Sequence, residues 1–172
     1  MDPALLTRLM AKLTATEFHP QRYVTGNGQE FWEELKSSDT ECVAHAFNLI
    51  FNRAALFDAI RLITGCEAVR GFSGRIYRMV PGDGHHSSWH DDFGVGKLIG
   101  LSLNLSPDLY SGGLFQLRRR GSEQLLAEIA NTGLGDAHVF RISRELQHQV
   151  TPVEGRHPKT ACIKMPMRIF RP

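Results

Sequence analysis

Two histidines and one carboxylate stand out among the residues that can do chemistry. His90 and Asp92 are two apart in Trp89-His90-Asp91-Asp92-Phe93, and His148 comes much later in Gln147-His148-Gln149-Val150. In an extended chain residues i and i+2 project to the same face, so His90 and Asp92 can reach one ion. A third ligand must come from elsewhere in the fold, and His148 on a later strand is the candidate. Two histidines and a carboxylate form a facial triad, which leaves three adjacent positions open and suits non-haem Fe(II). The chain has 8 histidines. An H-x-D pair arises by chance about 0.4 times in such a sequence, so the pair takes its meaning from its surroundings. Read alone, it is a polar turn. His85 and His86 stand close to His90 in a glycine-rich loop and leave a zinc site open as a minor alternative.

Strands must hold these side chains, and the second half of the chain supplies them. After Gly65 the apolar pattern has a period of two, through Arg75–Val80, Leu98–Leu105, Leu114–Leu117, Ala137–Ile142 and Lys159–Met165. Turn residues separate the runs, among them Pro81-Gly82-Asp83-Gly84, Gly112-Gly113 and Gly133-Leu134-Gly135-Asp136. Short strands at regular spacing predict a sandwich or barrel. Ser122 to Ala130 fits either a helical turn or a hairpin strand.

The first 65 residues read as helices. Asp2-Pro3 opens one, with Leu5, Leu6, Leu9, Met10 and Leu13 on one face. Phe31, Trp32 and Leu35 suggest a second, short helix. Ser38-Asp39-Thr40-Glu41 is a capping box before Val43, Phe47, Ile50 and Phe51. Leu56, Phe57, Ile60 and Ile63 continue the pattern, and Gly65 is the expected stop. These stripes read as core packing, and His45 within them as a satisfied core histidine. The expected organisation is a helical segment, 1–66, packed on a β domain, 67–172.

The composition excludes several classes. The chain has 172 residues, of which 42% are hydrophobic and 22% charged, values of a globular domain rather than a disordered or fibrous one. Lys+Arg number 20 against 18 Asp+Glu, so no strong basic field points to nucleic acid, which is not expected as a partner. Arg118-Arg119-Arg120 reads as a solvated hairpin end. Three widely spaced cysteines, without a C-x-x-C pair, do not form a disulfide framework. No apolar run approaches the roughly 20 residues of a membrane span. No signal peptide is visible at the N-terminus. A cytoplasmic location is expected; the oligomeric state is not legible.

The β half resembles the 2-oxoglutarate and Fe(II)-dependent oxygenases, on the prolyl-hydroxylase-like side. The matching pieces come in order. They are Arg75-Ile76-Tyr77-Arg78 with Pro81-Gly82, the H-x-D of His90 and Asp92, and Leu101-Ser102-Leu103-Asn104-Leu105 with Gly112-Gly113-Leu114-Phe115. Gly135-Asp136-Ala137 with Phe140 follows, and then His148-Gln149-Val150-Thr151-Pro152-Val153. Together they cover roughly residues 67 to 166. The resemblance implies a double-stranded β-helix, a distorted jelly roll, with the helices outside one sheet. It implies Fe(II) held by His90, Asp92 and His148, with 2-oxoglutarate and O2 as cosubstrates. The implied reaction is hydroxylation of a peptide or small molecule with release of succinate and CO2. The rival reading is a cupin-like metal-binding β-barrel without 2-oxoglutarate chemistry.

The resemblance also implies a basic side chain after the second histidine that binds the far carboxylate of 2-oxoglutarate, a charge-assisted contact. Arg156 and Lys159 are the candidates, at a spacing slightly off the family's. Lys159 shares a face with Ala161, Ile163 and Met165, and a cation on an inward apolar face wants a partner, which favours it. Tyr77 is either a second donor to that carboxylate or a core aromatic with its tip wet. Ser102, Asn104, Trp89 and Phe93 are pocket or packing residues.

Overall fold

The computed structural model describes residues 3–24, 30–36, 39–66, 69–94, 96–130, 133–154 and 162–170. A helix, α1 (Pro3–Thr14), precedes a hairpin of β1 (Phe18–Val24) and β2 (Glu30–Lys36). Two more helices follow, α2 (Asp39–Phe51) and α3 (Ala54–Thr64). The strands are then β3 (Gly71–Gly74), β4 (Tyr77–Met79), β5 (His86–His90), β6 (Lys97–Asn104), β7 (Ser111–Gly112) and β8 (Phe115–Arg119). They continue as β9 (Leu125–Ile129), β10 (Ala137–Arg141), β11 (Leu146–Val150), β12 (Val153–Glu154) and β13 (Cys162–Phe170). Ser122 to Ala130 thus supplies a hairpin strand rather than a helical turn.

The helices bury the stripes read from the sequence. Leu9 and Leu13 of α1, Val43 and Phe47 of α2 and Ile60 of α3 pack with Phe72, Ile76, Ile99, Leu101 and Leu105 in one core. Leu13 and Phe47 have no exposed surface, and full burial of side chains of this kind stabilises by about 1.5–3 kcal/mol each. Asn52, just past α2, locks helix to sheet. Its amide donates to the Phe72 carbonyl at 3.0 Å and its carbonyl accepts the Phe72 N–H at 2.8 Å. Gly65 ends α3 at φ 66°, where its N–H reaches the Arg61 carbonyl at 2.8 Å. Without a Cβ it takes that left-handed turn without strain. Two expectations fail on these helices. His45 is exposed, because it lies two residues from both Val43 and Phe47, on the opposite side of the helix. Ile63 is 71% exposed, one turn past the last packed residue.

The expected helix at Phe31, Trp32 and Leu35 is strand β2. It pairs with β1 along its whole length, from Phe18↔Lys36 to Val24↔Glu30. Against the main sheet it pairs in series with two strands: Glu34 and Leu35 with β4, Phe31 and Trp32 with β5. Cross-strand pairing therefore overrides a local spacing that also suits a helix. Through β2 the main sheet runs β10-β6-β13-β4-β2-β5-β11-β8-β9, and β7 and β12 form a small second sheet. The long path folds over on itself. Phe140 of β10 lies 4.7 Å from Phe115 of β8, and His138 of β10 lies 4.2 Å from the same ring, between ring centroids. Residues near the two ends of the strand order thus meet across an interior. Two facing antiparallel layers closed in this way are a double-stranded β-helix, with the helices on the outer face of the β6 layer.

Candidate metal centre

His90 closes β5 and His148 sits in the middle of β11, and the register puts them directly opposite each other. Opposed residues in antiparallel strands hold their Cβ atoms about 4.5–5.5 Å apart, which brings two imidazoles together with no help from a loop. Their ring centroids are 4.1 Å apart. Both rings are buried, at 6% exposure each. Asp92 completes the group: its Oδ1 lies 4.0 Å from His90 Nε2 and its Oδ2 3.6 Å from His148 Nε2. One ligand atom from each of the three residues lies within 4.8 Å of the others, and among the described residues no other such cluster of His, Cys, Asp or Glu occurs. His85 and His86 are outside it. His85 Nδ1 accepts the Val80 N–H at 2.9 Å, and His86 Nδ1 lies 2.8 Å from the Gly84 carbonyl.

Asp92 gets there by a different route from the one its spacing suggests. The strand ends at His90, and Asp92 is at φ 53°, left-handed rather than extended. The turn is held from below by Asp91. Asp91 Oδ1 accepts the Phe93 N–H at 3.0 Å, and Asp91 Oδ2 is ion-paired with Arg120. Arg120 in turn donates from Nε to the Arg144 carbonyl at 2.7 Å. The last arginine of the 118–120 run is therefore a brace for the turn. Arg118 also has a structural task. Its guanidinium lies 4.0 Å over Trp89 and bonds to Glu123 and Gln147.

The donor chemistry fits a divalent ion. His90 Nδ1 is 2.7 Å from the Ser88 carbonyl. A carbonyl only accepts, so Nδ1 carries the proton and Nε2 presents its lone pair toward Asp92 and His148. Such a bond to the far ring nitrogen is the usual way a ligating histidine is oriented. Apolar rings back the site: Phe140 lies 4.6 Å and Phe115 5.6 Å from the His148 ring. Gln147 and Gln149 alternate with His148 to the outer face, where Gln149 bonds Gln116 at 2.5 Å.

The other sequence candidates fall into three groups. Tyr77 is buried with Met79, Tyr110, Val150 and Val153, and Val150 follows His148 by two residues, on its own face. Ser102 and Asn104 are buried as well, and Asn104 Oδ1 accepts the Ser106 N–H at 2.9 Å. Phe93 is 46% exposed beneath Arg144, so it is not an inner wall. Arg156 and Lys159 lie outside the described residues. The brace of Asp91 and Arg120, and His138 in the interior, were missed. His138 shares the period-two face of Phe140, and that pattern could have found it.

Comparison with solved structures places this architecture in a known group. A 2OG-Fe(II) oxygenase family oxidoreductase from Burkholderia pseudomallei matches over 100% of this chain and 81% of its own, at TM-score 0.64 and 16% identity. A Pseudomonas putida prolyl-4-hydroxylase matches over 100% and 89%, at TM-score 0.58 and 15% identity. A Trichoplax adhaerens prolyl hydroxylase, solved with a hypoxia inducible factor peptide fragment, matches over 98% and 77%, at TM-score 0.60 and 15% identity. The fold is thus the double-stranded β-helix of 2-oxoglutarate oxygenases, prolyl hydroxylases among them. No family model matches the sequence, and no curated protein sequence matches it. No helix among the described residues is long and apolar enough to cross a membrane.

Proposed function

We propose that this chain is an Fe(II)- and 2-oxoglutarate-dependent dioxygenase that hydroxylates a peptide or small molecule. The observation that carries this reading is the meeting of His90, Asp92 and His148 on adjoining strand and turn, in a fold shared with oxygenases. His90 and His148 bind through nitrogen and Asp92 through oxygen, the donor set that suits Fe(II) with open positions. Held by His90, Asp92 and His148, iron would supply with 2-oxoglutarate and O2 an oxidation that puts one oxygen atom into succinate and the other into a substrate C–H bond, with loss of CO2.

The chain's own residues position and exclude. Ser88 holds the His90 ring by its carbonyl, Asp91 and Arg120 hold the Asp92 turn, and Phe115 and Phe140 keep water from the His148 side. Lys159, with Arg156 as the second candidate, pairs with the far carboxylate of 2-oxoglutarate. Tyr77, buried beside Val150, donates its hydroxyl to the same group. The test is spectroscopic. Anaerobic addition of Fe(II) and 2-oxoglutarate should raise a weak visible charge-transfer band, and O2 should then release succinate. A protein that gives no band and holds zinc tightly instead is a metal-binding barrel of the cupin kind, and the oxygenase reading falls.

A further inference from the structure

Two surface cavities meet beside the turn that carries Asp92. One, of about 710 Å³, runs from the end of α3 to the edges of β6 and β10 and is lined in part by Ile63 and Lys97. The other, of about 470 Å³, lies at the β10–β11 connection and is lined in part by Arg119, Arg144 and Glu145. Phe93, Arg141 and Ser143 line both, so the two form one groove. Phe93 follows Asp92 directly in the chain, which ties this groove to the metal-binding turn.

The groove is unlike the rest of the molecule in charge. Lys97, Arg119, Arg141 and Arg144 face it against Glu145 alone, whereas the whole chain holds 20 Lys+Arg to 18 Asp+Glu. It is also apolar at two exposed points, Ile63 at 71% and Phe93 at 46%. Ile63 and Phe93 line the same cavity and give it two apolar contact points among the cations. A single strand of nucleic acid would need several free aromatic faces to stack its bases. The groove offers two aromatic side chains, Phe93 and Phe140; the Arg144 guanidinium sits 4.6 Å over the first, and the second packs on Phe115 and His148. A peptide asks for less: carboxylates for the guanidinium groups and one apolar side chain for Ile63 and Phe93.

We propose that this groove docks an acidic peptide segment bearing an apolar residue and leads it to the Asp92 turn as substrate. The proposal rests on the oxygenase reading for its chemistry but not for its binding. The test therefore measures binding on the full chain without metal, by fluorescence anisotropy. The probes are a labelled glutamate-rich dodecapeptide with a central leucine, its lysine counterpart, and an oligothymidylate of equal length. The glutamate peptide should bind alone among the three and weaken as salt is raised. Arg141→Glu with Arg144→Glu should weaken it roughly tenfold or more. If that pair unfolds, Arg141→Gln with Arg144→Gln should still lower affinity by a smaller factor. The proposal is overturned if the lysine peptide binds as well, if the oligonucleotide binds more tightly, or if none binds. It is also overturned if free 2-oxoglutarate displaces the peptide, since the groove would then be the cosubstrate site. A Co(II) titration separates the two readings. Peptide binding without metal binding removes the oxygenase and keeps the groove; metal binding without peptide binding does the reverse.

Discussion

Replacing Asp91 by alanine should loosen the metal without touching a ligand. Asp92 is held at φ 53°, a conformation that costs a non-glycine residue about 1–2 kcal/mol. Two contacts of Asp91 oppose that cost. The bond from the Phe93 N–H to Oδ1 contributes about 0.5–1.5 kcal/mol. The pair with Arg120, whose side chain is half exposed, adds about 0.2–1 kcal/mol after solvent screening. Their joint loss of about 1–2 kcal/mol corresponds to metal affinity lower by about 5–30-fold. Removing the partners that orient metal ligands elsewhere costs about 10–100-fold, which overlaps this range. The assay is calorimetric titration with Co(II) as a redox-stable stand-in, repeated with Fe(II) under anaerobic conditions. Asp91→Asn keeps an oxygen for the Phe93 N–H but loses the ion pair, so it should fall between wild type and alanine, level with Arg120→Ala. If Asp91→Ala binds metal within twofold of wild type, the turn holds itself and the brace is irrelevant.

Three further outcomes are expected. His148→Ala should abolish succinate release while leaving the circular dichroism unchanged; equal turnover would refute the triad. Lys159→Ala should raise the 2-oxoglutarate requirement strongly, whereas a rise confined to Arg156→Ala would show that the strand-face reasoning chose the wrong cation. Gly100→Ala would drive a Cβ into the Phe140 ring, 2.6 Å from both Cε atoms and closer still to Cζ, and that ring is itself packed on Phe115 and His148. Overpacking of this kind costs about 1–3 kcal/mol. The melting temperature should drop by several degrees, and unchanged melting would mean that Phe140 has room to swing aside.

The parts of this molecule that were legible in the sequence follow simple periods. The alternation of Leu98–Leu105 and Ala137–Ile142 gave strands β6 and β10, and the H-x-D with a distant histidine gave the metal cluster. The failures came where partners distant in the chain decide. Phe31, Trp32 and Leu35 suit a helix locally, but β1 and the β4–β5 edge claim them as a strand. The signal that could have found the strands, and that the reading above does not use, is the Asn27-Gly28 dipeptide, a pair favoured in hairpin turns. His45 was misplaced although its angle on the helix was computable. Asp92 was rightly chosen for an incomplete reason. Its i+2 spacing from His90 mattered less than a turn stabilised by Asp91 and by an arginine 29 positions away, a contact that no local pattern encodes.

Strand β13 has a consequence for how the chain acquires its shape. It is hydrogen-bonded to β3 and β4 along one edge and to β6 along the other. Until it docks, the two layers lack the ribbon that joins them, and β3, β4 and β6 present unpaired strand edges, the kind that invite aggregation. Closure must wait for contacts of long sequence separation, so their loop-closure entropy is lost before the pairing rewards it, which slows folding.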